Sequence, residues 1–251
     1  MLSKYYCNVI LFIVCLVIIL TFIIVYTYIH NTQSFNKNEI IERICLKCFI
    51  SPYQYKVIKN INCFIPSYYQ GRQMEINYTT YYDYPERTIF TNRIYYKSKD
   101  IPSIIRIRSY QYSNDKYIEL KWKGQKMRGL LDNNMQLVEE EDIPINPDLR
   151  KYLSLIHSNQ LVPVFANSYK RESFVLQQDS NVRVTLDSNL IYHVNNESYK
   201  FQHNILELKI PKHYSEKKML NIKRNLDSVC NVSLDFIQFS KFEYGYNTYL
   251  P

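Results

Sequence analysis

Glycine is scarce in this chain, with only 4 copies in 251 residues. A Walker-type or dinucleotide-binding loop needs several glycines, because its backbone must turn tightly and approach a phosphate closely. Neither motif occurs in the sequence. The composition therefore argues against a glycine-rich phosphate loop.

Cysteine is also uncommon, and its spacing does not fit a metal site. Cys45 and Cys48 form a CxxC pair, but residues three apart in a strand face opposite sides of the sheet. No second CxxC and no suitable histidine pair follow, as a structural zinc site would require. With Cys63 and Cys230 the pair makes an even number that could form disulfides in an oxidising compartment. Zinc and redox roles are disfavoured.

Acidic residues are in the minority, with 23 Asp and Glu against 31 Lys and Arg, a formal net charge of +8 and a pI near 9.0. A basic balance points to a polyanionic partner, which could be nucleic acid, an anionic membrane surface or a phosphate-rich small molecule. Charge alone does not choose among them. The acidic run at residues 139–142 is interpreted as a solvated loop rather than a metal site.

Residues 9–29 contain no charged side chain, and about 20 apolar residues suffice to cross a bilayer as a helix. The run ends in an aromatic belt without a small-residue cleavage site, which favours a membrane anchor over a cleaved signal peptide. The sequence predicts an anchor at residues 1–30, a linker at 31–38 and one domain with a sizeable core at 39–251. Basic residues after the span favour a cytoplasmic position for that domain.

Two antiparallel strands are predicted between Ile104 and Arg128, joined by a turn at residues 113–116. Alternate side chains of a strand face opposite sides, so each strand has one charged and one largely aliphatic row. A polar row is often merely solvated, and repetition elsewhere gives the pattern its weight. The charged rows are Arg106 and Arg108 in the first strand and Glu119, Lys121 and Lys123 in the second.

The same alternation recurs at residues 181–187 and 205–210, where Glu207 and Lys209 oppose three aliphatic residues. Proline at position 52 after a capping Ser51 predicts a helix start. Further strands are predicted at residues 39–50, 74–83, 87–96, 169–174 and 236–246, and helices at 51–60, 148–159 and 215–229.

Several strands with basic residues on one face would repel one another in a flat sheet. Closing the sheet around a lumen solves this problem if a polyanion fills the lumen and helices cover the aliphatic outside. Arg and Lys suit that task, because a guanidinium binds phosphate oxygens bidentately and an ammonium acts as a compact charge. The predicted fold class is α+β, an antiparallel β-barrel with helices packed outside.

Six motifs in order resemble those of the VTC domain, the polyphosphate polymerase module of the vacuolar transporter chaperone family within the triphosphate tunnel metalloenzymes. The resemblance covers about residues 43–245. It implies a tunnel in which the γ-phosphoryl group of ATP passes to a growing polyphosphate chain. The motifs are Arg106-Ile107-Arg108-Ser109-Tyr110, Glu119-Leu120-Lys121-Trp122-Lys123, Tyr169-Lys170-Arg171-Glu172-Ser173-Phe174, Arg183-Val184-Thr185-Leu186-Asp187, Leu206-Glu207-Leu208-Lys209 and Phe239-Ser240-Lys241-Phe242.

The resemblance also implies a set of site residues. Glu207, together with Glu119 and substrate phosphates, would hold Mn²⁺ or Mg²⁺. Tyr82-Asp83 matches a strand end of the Tyr-Phe-Asp type. The residues implied to contact phosphate are Lys47, Arg106, Arg108, Lys121, Lys126, Arg128, Arg171, Arg183, Lys209 and Lys241.

The first strand departs from the pattern of the related hydrolases. Tunnel enzymes that hydrolyse triphosphates usually carry Glu-x-Glu-x-Lys there, whereas this chain has Arg43-Ile44-Cys45-Leu46-Lys47. The difference favours a metal-dependent polymerase acting on ATP and polyphosphate over a tripolyphosphatase or RNA 5′-triphosphatase. A non-catalytic module that binds polyphosphate or inositol phosphate stays open, as does assembly with further copies or other membrane subunits. Nucleic acid is not favoured as a partner.

Overall fold

The computed structural model describes residues 43–68, 72–122, 125–139, 145–230 and 234–250. In this part of the chain ten strands form one antiparallel sheet. The order along the sheet is β1-β10-β8-β7-β3-β4-β5-β6, with β2 paired to β7 and β9 paired to β8. The strands are β1 (Arg43–Ile50), β2 (Phe64–Pro66), β3 (Met74–Asp83), β4 (Ile104–Tyr110), β5 (Lys116–Trp122), β6 (Gln125–Leu131), β7 (Val162–Leu176), β8 (Asp179–Val194), β9 (Glu197–Lys200) and β10 (Asn204–Pro211).

The described residues also form five α-helices. Local sequence explains the start of α1, where Ser51 Oγ accepts from the Gln54 N–H at 3.1 Å and the Ser51 N–H donates to Gln54 Oε1 at 2.6 Å. This capping box confirms the helix predicted from the Ser-Pro pair. The predicted helices at 148–159 and 215–229 are confirmed as α3 and α4. The helices are α1 (Pro52–Lys59), α2 (Thr88–Thr91), α3 (Pro147–His157), α4 (Glu216–Cys230) and α5 (Lys241–Tyr249).

The aliphatic rows of the sheet form its outer face and pack on helices. Leu120 of β5 shares a buried cluster with Leu149 of α3, and Val184 of β8 shares another with Ile222 of α4. The polar rows therefore face the concave side, as the alternation predicts. The aliphatic residues predicted to face helices are all buried in these clusters: Ile107, Leu120, Val184 and Leu208.

The sheet is not a closed barrel. Within the described residues β1 and β6 are its two edges, and no ladder joins them. The segment before α5 bonds the edge of β1, because the Ile237 N–H donates to the Lys47 carbonyl at 2.7 Å and Lys47 Nζ donates to the Phe239 carbonyl at 2.7 Å. The predicted closure is therefore wrong, since the chain's own C-terminal segment occupies part of the edge that closure needs. The antiparallel sheet with helices outside is confirmed, with the exception of α5, which packs on the concave side.

Two of the predicted strands are helical. Residues 87–96 form α2 and a π-helical turn, Asn92–Tyr96. The buried carboxylate of Asp83 accepts from the N–H groups of Ile89 and Phe90 at 2.8 and 3.0 Å, so this tertiary contact satisfies the first helical turn and overrides β propensity. Most of the predicted strand at 236–246 belongs to α5 or to the segment before it.

Among the described residues, no helix has both the length and the apolar character needed to cross a bilayer. The predicted anchor and linker, at residues 1–30 and 31–38, lie outside the described ranges. The same holds for Lys123 and for most of the acidic run at 139–142.

Candidate functional site

The concave face of the sheet encloses a cavity of about 430 Å³. Of the residues that the structure describes, nine Lys and Arg line this cavity, against a single acidic residue, Glu207. Eight of the nine are among the phosphate-contacting residues predicted from the sequence, and Arg43 is the addition. The basic residues are Arg43, Lys47, Arg106, Arg108, Lys121, Lys126, Arg171, Lys209 and Lys241.

Strand register brings these cations together. In β4 and β5, Ile104 lies opposite Lys121, and Lys121 lies opposite Lys126 of β6. The next row places Arg106 opposite Glu119. Directly opposed residues of antiparallel strands point to the same face of a sheet. The charged rows that the sequence predicts on separate strands therefore form one continuous basic wall.

Glu119 lies buried within this wall, with 1% of its side chain exposed. Its Oε2 is 2.6 Å from Arg106 Nη2 and 3.7 Å from Arg108 Nη1, and its Oε1 is 2.6 Å from Lys126 Nζ and 3.5 Å from Arg128 Nε. Burial alone would raise the pKa of Glu119, but the charges of Arg106, Arg108 and Lys126 outweigh burial and hold the pKa far below its ordinary value. Glu119 is therefore ionised.

Asp187 is a second buried carboxylate on the same side of the sheet. Arg171 donates Nε to Asp187 Oδ1 at 2.6 Å and Nη2 to Oδ2 at 2.7 Å. Lys241, the first residue of α5, donates Nζ to Oδ2 at 2.6 Å. Burial would raise the pKa of Asp187, but these two cations lower it. One carboxylate thus positions two cavity-lining cations and ties α5 to the sheet.

Glu207 is the carboxylate that faces the cavity. Its Oε2 lies 3.3 Å from Arg171 Nη2 and its Oε1 lies 3.7 Å from Lys209 Nζ, while Lys47 is its register partner on β1. Burial would raise the pKa of Glu207, but the charges of Lys209, Arg171 and Lys47 hold it well below the ordinary value. Glu207 is therefore an anion among cations.

The two acidic residues predicted to hold a metal differ in what they can do. Among the residues that the structure describes, no group of three or more His, Cys, Asp or Glu could hold a metal ion without other ligands. Mg²⁺ is often bound by one or two carboxylates, with substrate phosphates and water completing its shell. Glu207 fits that arrangement for Mn²⁺ or Mg²⁺. Glu119 fits it poorly, because four cations already contact its two oxygens.

The first strand carries no acidic residue on the cavity wall. Arg43, Cys45 and Lys47 line the cavity from β1, and Cys45 lies opposite Lys209 in register. Cys45 is exposed to the cavity but removed from bulk water by its walls, and this removal, with the charge of Glu207 second, raises the pKa of Cys45, so its thiol stays neutral near pH 7. The positions at which a Glu-x-Glu-x-Lys strand would hold carboxylates are thus an arginine and a neutral thiol.

Three cavity lysines have lowered pKa values. Lys121 is open to the cavity but surrounded by its walls, and this removal from bulk water, together with the charges of Arg106 and Lys47, lowers its pKa to about 8. Burial likewise lowers the pKa of Lys47, and it lowers the pKa of Lys126 to about 7 even though the Glu119 carboxylate raises it. Removal from bulk water is the largest cause of all three shifts, and crowding by neighbouring positive charges adds to each of them. A polyanion between them would relieve the crowding.

Two residues predicted to contact phosphate lie outside the cavity wall. The Arg128 guanidinium stacks 3.4 Å from the centre of the Tyr117 ring, and its Nη2 donates to Tyr110 Oη at 2.9 Å. Arg183 lies opposite Lys209 on β8, where burial and the charge of Arg43 lower its pKa. A phosphate contact for either arginine stays a prediction.

Sequence reasoning missed the roles of two other residues, one behind the cavity wall and one in it. Asp187 belongs to one of the six motifs, and its alternation with Arg183 and Thr185 places it on the polar face, but the family resemblance implies no role for it. Tyr169 lines the cavity, with Lys241 Nζ 4.5 Å from the centre of its ring. Burial would raise the pKa of Tyr169, but Arg108 and Arg171 lower it.

Comparison with known proteins identifies relatives of this architecture. The sequence profile of the VTC domain matches residues 36–250. A comparison with curated proteins finds no significant match.

Three solved structures have the same fold. The PH1819 protein from Pyrococcus horikoshii OT3 matches with a TM-score of 0.50 and 17% identity, over 81% of this chain and 96% of that one. A proposed adenylate cyclase from Bacillus halodurans matches with a TM-score of 0.50 and 14% identity, over 84% and 98% of the two chains. A proposed adenylyl cyclase from Hippeastrum, described as having a dominant triphosphatase activity, matches with a TM-score of 0.51 and 12% identity, over 83% and 97%. At these identities the likeness shows the fold alone.

Proposed function

This chain belongs to the VTC domain family and has the triphosphate tunnel fold, and from that premise we propose that it is a membrane-anchored polyphosphate polymerase. It transfers the γ-phosphoryl group of ATP to a growing polyphosphate chain inside the basic cavity. The observation that carries the proposal is the lining of that cavity of about 430 Å³, to which the described part of the chain contributes nine cationic residues and one acidic residue. The anchor at residues 9–29 and a cytoplasmic position of the domain rest on the sequence alone.

Phosphoryl transfer requires alignment of the attacking and leaving oxygens and stabilisation of the charge on the transferred group. Arg106 and Arg171 suit this task because each is held by a buried carboxylate, Glu119 and Asp187 respectively. Their guanidinium groups are therefore oriented before substrate enters. Lys209 and Lys47 complete the wall around Glu207.

Glu207 would hold Mn²⁺ or Mg²⁺ jointly with substrate phosphates, and such an ion neutralises phosphate charge when it is bound. The absence of a second cavity-facing acidic residue among the described residues matches the polymerase branch better than the hydrolase branch. Arg43 and Cys45 stand where the hydrolase pattern has carboxylates. Their presence favours retention of a polyanionic product over its release as free phosphate.

The decisive experiment incubates the purified full-length chain with ATP and Mn²⁺ or Mg²⁺. Products are separated by length on a urea gel, and free phosphate is measured beside them. We expect polymer. Free phosphate as the sole product would assign the chain to the hydrolases, and tight binding of tripolyphosphate without any turnover would make it a binding module.

A matched pair of glutamate variants tests the site within the same assay. We expect Glu207→Gln to lower turnover by about 100-fold, because the amide keeps the shape but loses the hard anionic ligand. Glu172 provides the control, since it is also buried but faces the opposite side of β7, where Lys59 and Lys170 contact it. Glu172→Gln should lower stability and leave turnover per folded molecule unchanged. If Glu207→Gln turns over as fast as Glu172→Gln, the metal is held by residues other than Glu207.

A further inference from the structure

Glu119 has more cationic neighbours than a metal-binding carboxylate could keep. Its four cationic neighbours come from β4 and β6, the strands on either side of β5. Each oxygen has one neighbour at 2.6 Å and a second at 3.5 or 3.7 Å. A divalent cation that bound this carboxylate would have to displace those contacts and lie beside four positive charges. The arrangement is therefore that of a counter-anion.

The carboxylate and its partners differ in access to the cavity. Arg106, Arg108 and Lys126 line the cavity, whereas Glu119 does not. Three of the cations that a polyphosphate would contact are thus already paired with an internal anion behind them. A phosphate oxygen that enters must compete with Glu119 for their hydrogen bonds.

We infer that Glu119 is a positioning residue, an internal counter-anion that holds Arg106, Arg108 and Lys126 in place while the cavity is empty and that weakens polyanion binding in return for this order. The inference rests on the proposed function to the extent that the cavity binds a triphosphate. It gives Glu119 an effect on affinity opposite in sign to the effect of a metal ligand. Removing a metal ligand weakens metal-dependent binding, whereas removing a competing anion strengthens binding.

The test is a titration of Glu119→Gln, in the full-length chain, with inorganic tripolyphosphate in EDTA, so that no metal contributes. We expect the dissociation constant to fall about threefold to tenfold, because one negative charge at short range is removed from a partly solvated site. In turnover assays with ATP and Mn²⁺, KM should fall as well. The value of kcat should fall about tenfold, because the cations lose the contacts that orient them.

Two further variants separate this effect from a loss of folding. Glu119→Asp keeps the charge and should return the dissociation constant close to that of the unmodified chain. Glu172→Gln removes a buried carboxylate from the opposite face of the sheet and should lower the melting temperature without tightening tripolyphosphate binding. If Glu119→Gln is only marginally stable, the rise in melting temperature on adding tripolyphosphate gives the same information. That rise should exceed the rise of the unmodified chain.

Weaker or unchanged tripolyphosphate binding by Glu119→Gln in EDTA would overturn the inference. So would a change confined to the Mn²⁺ concentration required for turnover, since that result would restore Glu119 as a metal ligand. The titration requires no turnover. If the chain makes no polymer but Glu119→Gln tightens binding, the inference stands while the proposed polymerase function fails.

Discussion

Asp187 provides the most direct test of how the cavity is held together. Its side chain is fully buried and binds Arg171 in two hydrogen bonds and Lys241 in one. Replacing it by Asn keeps the size and one acceptor oxygen but removes the charge. The Arg171 and Lys241 side chains are only 18% and 12% exposed, so water cannot take over the role of the lost carboxylate.

The structure sets the size of the expected effect. Removing one partner of a buried ion pair costs about 3 to 5 kcal/mol of the free energy of unfolding. Because Asn still accepts a hydrogen bond, we expect Asp187→Asn to cost about 3 kcal/mol, near the lower end. For a domain of roughly 200 residues, each kcal/mol lowers the melting temperature by about 2 to 4 °C, so the expected fall is about 6 to 12 °C. Polyphosphate synthesis should also fall about tenfold, since Arg171 loses its orientation.

Thermal unfolding of the purified full-length chain measures the stability change, and a urea gel measures polymer. Glu139→Gln is the control, because Glu139 also pairs with a cation, Arg150, but these two side chains are 68% and 59% exposed. Surface pairs contribute about 0 to 1 kcal/mol, so this control should lower the melting temperature by no more than about 4 °C. Equal melting temperatures for the Asp187→Asn variant and the unmodified chain would refute the view that Asp187 anchors Arg171 and α5.

Three further predictions concern the cavity and α5. Tripolyphosphate binding should weaken as pH rises from about 7 to 9, because Lys126 and Lys121, with pKa values lowered to about 7 and about 8, lose their charges there. Lys121→Arg, which stays charged, should remove the part of this dependence near pH 8 and leave the part near pH 7, and an unchanged pH dependence would exclude Lys121 as its source. Lys241→Ala should shorten or abolish polyphosphate on a urea gel and lower the rate of phosphoryl transfer about tenfold to 100-fold, while the protein still melts cooperatively. Polyphosphate of unchanged length would exclude Lys241 from the path of the growing polymer. Gly245→Ala should lower the free energy of unfolding by about 1 to 3 kcal/mol, because the added Cβ would lie 2.6 Å from Phe165 Cε2 and 2.8 Å from Tyr192 Cε1. Thermal melting measures this change, with Asn247→Ala, an exposed position on the same helix, as the control. Equal melting temperatures for the two variants would show that α5 shifts freely.

The local sequence pattern was sufficient to predict most strands and the helices on the outer face. The alternation of Arg106 and Arg108 with Ile105 and Ile107 predicts both the strand and its orientation, because side-chain direction in a strand depends only on position along the chain. The Ser51-Pro52 pair predicts α1 for an equally local reason. Eight of the nine cationic residues that line the cavity follow from the same reasoning and from the family resemblance.

Local pattern failed where a distant partner decides the backbone. Residues 87–96 have high β propensity, but the Asp83 carboxylate caps them as a helix. Residues 241–249 are rich in aromatics, yet Phe242, Gly245 and Tyr246 pack as one helical face on the concave side of the sheet. Closure of the barrel failed for a similar reason, because Ile237 bonds the edge of β1.

The sequence by itself determined the family, the antiparallel sheet with its outer helices, and the face on which the cations lie, since all of these follow from motif order and from the two-residue period of a strand. Only the tertiary structure decided which carboxylate forms ion pairs with which cations. Glu119, Asp187 and Glu207 all lie on the polar face, but strand register places Glu119 and Asp187 against cations behind the wall and leaves Glu207 facing the cavity. The physical reason is that an ion pair depends on distances between strands far apart in the chain, and those distances are set by pairing and curvature of the whole sheet.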